Sequence, residues 1–327
     1  MSYILNQGSK RVIIMYDSKS YIFQIQSEDS NSRIDSVLAK LIEDASRNSI
    51  QKLIEEVGVT VNGQIIKSKK HKLKEGDIVE LTIEQSEPLA LVAENIPIDI
   101  VYEDEDILII NKPKGMVVHP AAGNTSGTLV NALLFHRGDS LSTINGEIRR
   151  GIVHRIDKDT SGLLVVAKND DSHRSLAKQL AAHTVMRSYR AIVHDNIIED
   201  SGTIDQPIGR DPSNRLRMAV TQPNSKEAVT HFRVLERFKK FTYIEARLET
   251  GRTHLIRVHM AYIKHPLLGD NLYGPKKNIM GIKGQMLHAK TLGFNHPKTG
   301  EYVEFDSELP QHFQEVLDNL RKRFITA

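Results

Sequence analysis

Three short stretches gather the polar side chains with which this chain could do chemistry. The first, HRIDKDTSG at 154–162, holds a histidine, an arginine, a lysine, two aspartates, a threonine and a serine, and runs directly into the apolar LLVVAK. In a tight loop, the residues around two carboxylates two apart can aim one of them at a substrate. An ionised carboxylate placed so serves as a nucleophile or as a base. The second stretch, RSYR at 187–190, sets Tyr189 among cations. The third, TGRTHLIRVH at 250–259, reads as a turn at Thr250-Gly251, a cap at Thr253 and a helix whose apolar stripe is Ile256, Met260 and Ile263. Arg257 lies one position off that stripe, at its edge, where a guanidinium can reach a cleft. Each residue also has a plain structural reading: Asp157 as a turn carboxylate, Tyr189 as a half-buried sheet residue, Arg257 as one side of a structural ion pair.

Several other chemistries are excluded or disfavoured. The chain has no cysteine, which removes disulfides, thiolate catalysis and zinc-cysteine sites. GNTSGT at 123–128 has the glycines of a phosphate loop without its lysine, and neither G-x-G-x-x-G nor H-E-x-x-H occurs. HRID is close to the kinase catalytic loop, but no glycine-rich loop, strand lysine or D-F-G accompanies it. His254 and His259 fall on different sides of a helix with no acid nearby, so no metal site is expected. The acidic quartet Glu103 to Asp106 reads as a solvated hairpin turn, and the His-Pro pairs at 119, 265 and 296 as loop punctuation. No run approaches the roughly 20 apolar residues of a membrane span, and the N-terminus lacks a signal-peptide pattern. A cytoplasmic location fits these features. The net charge of +3 is a weak hint of a polyanionic partner, whereas KSKKHKLK at 67–74 concentrates five lysines with no acid.

The elements that must position these residues fall into two groups. Residues 1–20 carry no clear signal and are read as an extension. From 21 to 83 the pattern predicts a small module. Ile34, Val37, Leu38 and Leu41 recur at helical spacing behind Ser32, and Ile50, Leu53, Ile54 and Val57 behind Ser46, with Gly58 ending the second helix. Asn62-Gly63 follows as a hairpin turn, and GDIVELTI supplies another strand. Lys67, Lys69, Lys70 and Lys72 lie at the hairpin exit, where a phosphate backbone could run along them. Residues 84–97 form an acidic, proline-containing linker. From 98 to 327, short strands meet through tight turns more often than through helices, which predicts an α+β fold with a largely antiparallel sheet.

Together the stretches resemble a known family. HRIDKDTSGLLVVAK is similar to the signature of the RluA family of RNA pseudouridine synthases. INKPKGMVVHP, SYRAIV, LETGRTHLIRVHMAYIKHPLLGDNLYG and MLHA resemble its other blocks, in order. The first module resembles the S4-like (αL) RNA-binding module carried by many members. Two positions depart from the pattern: Ile156 stands where leucine is usual, and Leu255 replaces a glutamine. The resemblance implies a pseudouridine synthase fold around a mixed sheet and isomerisation of uridine in RNA. The base–ribose C–N bond breaks, the uracil rotates, and it rejoins through carbon, with no cofactor and no metal. It also implies roles by residue. Asp157 is the catalytic aspartate, Arg257 its ion-pair partner, and Tyr189 stacks on the target uracil with Leu287 on the other face. Arg155 fills the space that the flipped nucleotide leaves. The expected partner is structured RNA, bound through phosphates and shape; the likeness runs closest to the RluD-like branch acting on 23S ribosomal RNA, alone or within a pre-ribosomal particle. Alternatives are transfer RNA as substrate, or a non-catalytic RNA-binding or ribosome-assembly protein.

Overall fold

The computed structural model describes residues 3–7, 10–15, 18–42, 47–84, 91–121, 123–138, 140–214, 216–275 and 280–324. The chain divides into two compact units, Met1–Ala90 and Leu91–Ala327.

In the first unit, strands β1 (Tyr3–Gln7), β2 (Lys10–Met15) and β3 (Ser18–Gln24) precede helices α1 (Ile34–Leu41) and α2 (Arg47–Glu56). Strands β4 (Val59–Val61), β5 (Gln64–Ile66) and β6 (Ile78–Glu84) follow. The six strands form one antiparallel sheet in the order β1-β2-β3-β6-β4-β5. Residues 3–7 and 10–15 are therefore not a detached extension: they add two strands to the module's sheet beside β3. Asn62 and Gly63 take φ of 49° and 79°, the left-handed pair that a two-residue hairpin turn requires. Ile34, Val37, Leu38, Ile50 and Ile54 bury against Phe23, Val59, Val79 and Leu81, as the helical spacing implies. Capping differs from expectation. Arg33, not Ser32, is the α1 N-cap, and it makes no side-chain capping bond; Ser46 lies outside the described residues. The start of α1 is tied instead through Asp35. Its fully buried carboxylate accepts from Arg33 (3.0 and 2.9 Å), Arg47 (3.3 and 3.2 Å) and Gln51 (2.5 Å), joining the two helices.

The second unit begins with β7 (Asp99–Glu103), β8 (Ile107–Lys112), α3 (Leu129–Arg137), β9 (Ser161–Ala167), α4 (Asp170–Ala181) and β10 (Met186–His194). Then come β11 (Ser201–Asp205), β12 (Ile208–Arg210), β13 (Met218–Val220), β14 (Ser225–Lys226), β15 (Val229–Phe238) and β16 (Phe241–Leu248). Helix α5 (Leu255–Tyr262), β17 (Leu287–Asn295), β18 (Tyr302–Asp306) and α6 (Gln311–Phe324) complete it. Nine strands build a mixed sheet in the order β11-β15-β16-β10-β17-β9-β8-β7, with β18 pairing β17. Among its described pairings only β9 with β17 is parallel, so the sheet is largely antiparallel and the fold is α+β. Strands β12 to β14 form a small second sheet.

Strand β9 is buried along its whole length. Leu164 and Val166 enter one core with Ile256, Met260 and Leu133; Leu163, Val165 and Ala167 enter another with Leu176 and Phe294. Covered on both faces, it reads as an unbroken apolar run rather than an alternating one. The acidic quartet is a turn between β7 and β8; Glu105 is exposed, but the other three acids are half-buried and bonded. Asp104 accepts from the amides of Asp106 and Ile107 and from Tyr102 and His296, each at 2.8 Å. Asp106 takes Asn169 at 2.9 Å and Ser172 at 3.2 Å, while Glu103 pairs with Lys168, Arg137 and His136. These bonds pin the turn to α4 and to the β17–β18 connection.

Burial also fixes proton states in this unit. It pushes His154 down to about 3, and His119 and His288 down to about 4. His288 sits between the Ser161 and Ser307 hydroxyls, each at 2.9 Å. The unfolded chain gains these protons near pH ~6.5 while the folded chain resists them, so the stability these rings confer is present above that pH and lost as pH falls toward 4. Urea titrations over pH 7.5 to 4 are expected to show stability declining with falling pH. His288→Gln should flatten the slope by about one proton; an unchanged slope would contradict the assignment.

Candidate active site

The residues singled out from the three polar stretches meet on one face of the large sheet. Asp157 opens the turn that leads into β9, closed by the Thr160 amide donating to the Asp157 carbonyl at 3.1 Å. This turn is held from outside. Lys112, with no exposed surface, donates from Nζ to the carbonyls of Pro113 and Met116 (2.8 Å each) and Lys158 (3.2 Å), and the Gly115 amide reaches the same Lys158 oxygen at 2.8 Å. Three carbonyls match the three donors of an ammonium, although burial pulls the Lys112 pKa down to about 7. Gln285 donates to the Thr160 hydroxyl at 3.0 Å. Gly162, at φ +113°, lies so close to the Ala289 backbone that no side chain fits. Thr160 and Gly162 thus shape the turn that aims Asp157, and the lysine clamp beneath it was not foreseen.

Asp157 meets Arg257 at 2.8 Å, between Oδ2 and Nη1, across 100 residues of chain. Arg257 in turn grips Asp270 through Nε to Oδ2 (2.7 Å) and Nη2 to Oδ1 (3.0 Å). Asp270 is fully buried at its side chain and also accepts from the amides of Leu272 and Tyr273. Burial alone would discharge both groups. The Asp270 carboxylate, seconded by Asp157, instead holds the Arg257 pKa above its ordinary value, and Arg257 and the two amides hold Asp270 below its own despite burial. Asp270 was not singled out in the sequence, where it stands only within the block ending LLGDNLYG. The available signal was stoichiometric: a buried guanidinium has five donors, more than one monodentate carboxylate can satisfy.

Helix α5 carries Arg257 without the predicted cap. His254, in the left-handed region at φ 59°, is the N-cap, and neither it nor Thr253 makes a side-chain capping bond at the helix start. Residues Leu255 to Met260 are all buried, so the stripe that placed Arg257 at an edge widens to the full circumference. Leu255 packs with Val258, Ile208, Ala228 and Tyr273; the helix start is anchored by apolar contact where a glutamine is usual. His254 Nδ1 lies 2.8 Å from the Tyr273 hydroxyl, which accepts from the Met218 amide, and His254 Nε2 stands 3.8 Å from Asp157. Burial lowers the His254 pKa. The Arg257 guanidinium also lies 5.1 Å from the centre of the Tyr273 ring.

Tyr189 and Leu287 join Asp157 through strand register. Tyr189 of β10 pairs with Ala289 of β17, Leu287 pairs with Ala191, and His288 pairs with Ser161 at the head of β9. Side chains at Tyr189 and Leu287 therefore share a face, and with Asp157, Arg257 and Arg155 they line a cavity of about 540 Å³. Tyr189 is 7% exposed and burial pushes its phenol pKa up, so the ring is neutral. Arg155 is exposed at the rim, with Nη1 3.5 Å from His119 Nε2. The four lysines are not in this unit. Lys69 pairs with Glu55 at 2.7 Å, Lys72 donates to the Asn31 carbonyl at 2.7 Å and Lys67 to the Glu56 carbonyl at 3.4 Å. Among the described residues Lys70 has no such partner.

The cluster most like a metal site among the described residues, Asp104, Asp106 and His296, lies where the β7–β8 turn meets the β17–β18 connection. Its ligand atoms already accept or donate the hydrogen bonds given above, which suits a structural knot rather than an ion.

Residues 106–262 match the sequence family described as RNA pseudouridylate synthase, and residues 32–79 match the S4 domain. An RNA pseudouridine synthase of Bacillus subtilis, itself uncharacterized, is 55% identical over 295 residues, which span 90% of this chain and 96% of that one. The chain belongs to the RNA pseudouridine synthase family. The ribosomal large subunit pseudouridine synthase D of Pasteurella multocida is 44% identical over 91% of this chain and 94% of its own. The solved structure of human RNA pseudouridylate synthase domain containing 1 superimposes with a TM-score of 0.54 at 25% identity, covering 70% of this chain and 96% of that one. The synthase is thus an isomerase that converts uridine in RNA to pseudouridine, and the S4 domain marks RNA as what it binds.

Asp270 is expected to support the site without touching substrate. Asp270→Asn leaves the Arg257 charge with one carboxylate instead of two, which should cost about 3 kcal/mol of stability and lower turnover about 100-fold as the guanidinium shifts. Chemical denaturation and single-turnover assays check this; wild-type stability with wild-type turnover would remove Asp270 from the account.

Proposed function

We propose that the synthase modifies uridines of large-subunit ribosomal RNA in the cytoplasm, free or within a pre-ribosomal particle, with Asp157 as the reacting carboxylate. The observation that carries the proposal is the chain Asp157–Arg257–Asp270 at the cavity, with Asp157 Oδ2 on the guanidinium and its carboxylate lining the pocket. One oxygen of Asp157 is held in place by Arg257; the group is thereby positioned for attack or proton removal while its charge stays matched. Tyr189 and Leu287 offer a flat aromatic and an aliphatic surface on one sheet face, suited to a uracil between them. The sugar carbon of a stacked nucleotide is out of reach, so the target must turn out of the RNA. Arg155, exposed at the rim, has the planar guanidinium to take its place in the stack. Relatives named ribosomal large subunit pseudouridine synthase D, at 43–48% identity, support the ribosomal target.

Mapping pseudouridine in total RNA from cells lacking the protein tests the target. The expected outcome is loss of modification at discrete uridines in large-subunit ribosomal RNA, restored by the wild-type gene. Loss confined to transfer RNA, or no loss anywhere, would overturn it.

Lys67, Lys69, Lys70 and Lys72 are proposed as phosphate contacts of the S4 domain. Replacing all four by glutamine should weaken RNA binding and lower the slope of log affinity against log salt by up to about 3 to 4. An unchanged slope would return the run to an ordinary solvated face.

A further inference from the structure

Counting charge around the cavity leaves three arginines without a carboxylate, and one of the three is buried. Among its lining residues the carboxylate is Asp157, matched by Arg257, whose remaining donors are matched by Asp270. Arg155 stands in solvent and Arg252 is half-buried, with Nε on the Glu227 carbonyl. Arg187 is different. It is 94% buried by its 6% exposure, lines the cavity, and has no carboxylate within ion-pair distance among the described residues. Its Nη2 donates to the Glu249 carbonyl at 3.1 Å, while its buried Nε has no hydrogen-bond partner. Burial works against its charge. A buried, unpaired guanidinium is costly unless an anion completes it.

The surroundings keep this side chain in place. Arg187 sits two residues before Tyr189 on β10, so both project from the same face. A side chain at Gly251 would come within 2.7 Å of Arg187 Nη1, so the turn after β16 leaves room for the guanidinium. Uracil and ribose are neutral; the permanent charge on each RNA nucleotide is its phosphodiester. We propose that Arg187 binds a phosphodiester flanking the target uridine, so that the flipped nucleotide is held by its backbone beside the ring of Tyr189. This rests on the reading of the cavity as the uridine site, and it assigns to Arg187 a role independent of which RNA is the target.

The test uses a stem-loop oligonucleotide built around a uridine that the mapping experiment identifies, whichever RNA carries it. Versions are made with the linkage 5′ or 3′ of that uridine replaced by an uncharged methylphosphonate. For wild-type protein, one of the two neutral linkages is expected to weaken binding about 10- to 100-fold, the worth of a hydrogen bond to a charged group. Arg187→Gln should weaken binding of the native oligonucleotide by a similar factor and be indifferent to that linkage. Arg187→Lys should keep part of the discrimination. Since the first arm uses wild-type protein alone, it decides even if Arg187→Gln fails to fold: if neither neutral linkage weakens wild-type binding, the proposal is wrong. It is equally overturned if Arg187→Gln remains as sensitive as wild type, or if its loss falls on conversion of bound RNA while the linkages prove silent, which would place the guanidinium against the base.

Discussion

The catalytic unit is organised around one guanidinium. Arg257 is almost wholly buried, carries a charge that burial opposes, and is shared between Asp157 in the cavity and Asp270 behind it. Neither carboxylate alone satisfies it: Asp270 takes two of its nitrogens and leaves Nη1 to Asp157. An ion pair of this kind is costly to assemble and more costly to break, so the elements that bring its members together are constrained. They are the turn before β9, helix α5 and the loop after it. The clamp of Lys112 on the Lys158 carbonyl, the bare backbone at Gly162 and the all-round burial of α5 each keep one member where the other two need it.

This arrangement separates charge from chemistry. Asp157 Oδ1 faces His254 at 3.8 Å, beyond hydrogen-bond range, while Oδ2 is committed to Arg257. One oxygen is anchored and the other is available. His254 is itself held by Tyr273, which lies against the Arg257 guanidinium, so the same few side chains position the carboxylate, its counter-charge and the polar wall beside them. Tyr189 and Leu287 belong to the sheet rather than to this network. Their placement follows from strand pairing, and a slip of one residue between β10 and β17 would turn one of them to the opposite face.

Much of this was legible in the order of residues, and the limits have physical causes. The helices of the first unit followed from the spacing of Ile34, Val37, Leu38, Ile50 and Ile54, because each buries a single stripe. The turn at Asn62-Gly63 followed from the φ that only a few residues tolerate. Helix α3 was missed: Leu129 to Leu134 are buried without interruption, so no stripe marks it, and its capping box pairs Thr128 with Asn131 rather than with a glutamate. Strands β1 and β2 were missed because they join the module's sheet only through β3, which pairs with β6 some sixty residues on. In the site, Asp157, Tyr189 and Arg257 stood out by type and by family likeness. Asp270 and Lys112 did not, since each acts through groups remote in sequence, and Arg187 was visible as a polar residue without a role.

The central claim is that Asp157 is the reacting group and Arg257 its support. It is tested most directly by single-turnover conversion of the mapped uridine by purified Asp157→Asn protein, beside its thermal unfolding and RNA affinity. The account predicts a folded protein that binds RNA and makes pseudouridine at least about 10⁴-fold more slowly than wild type. Conversion within tenfold of the wild-type rate would contradict it.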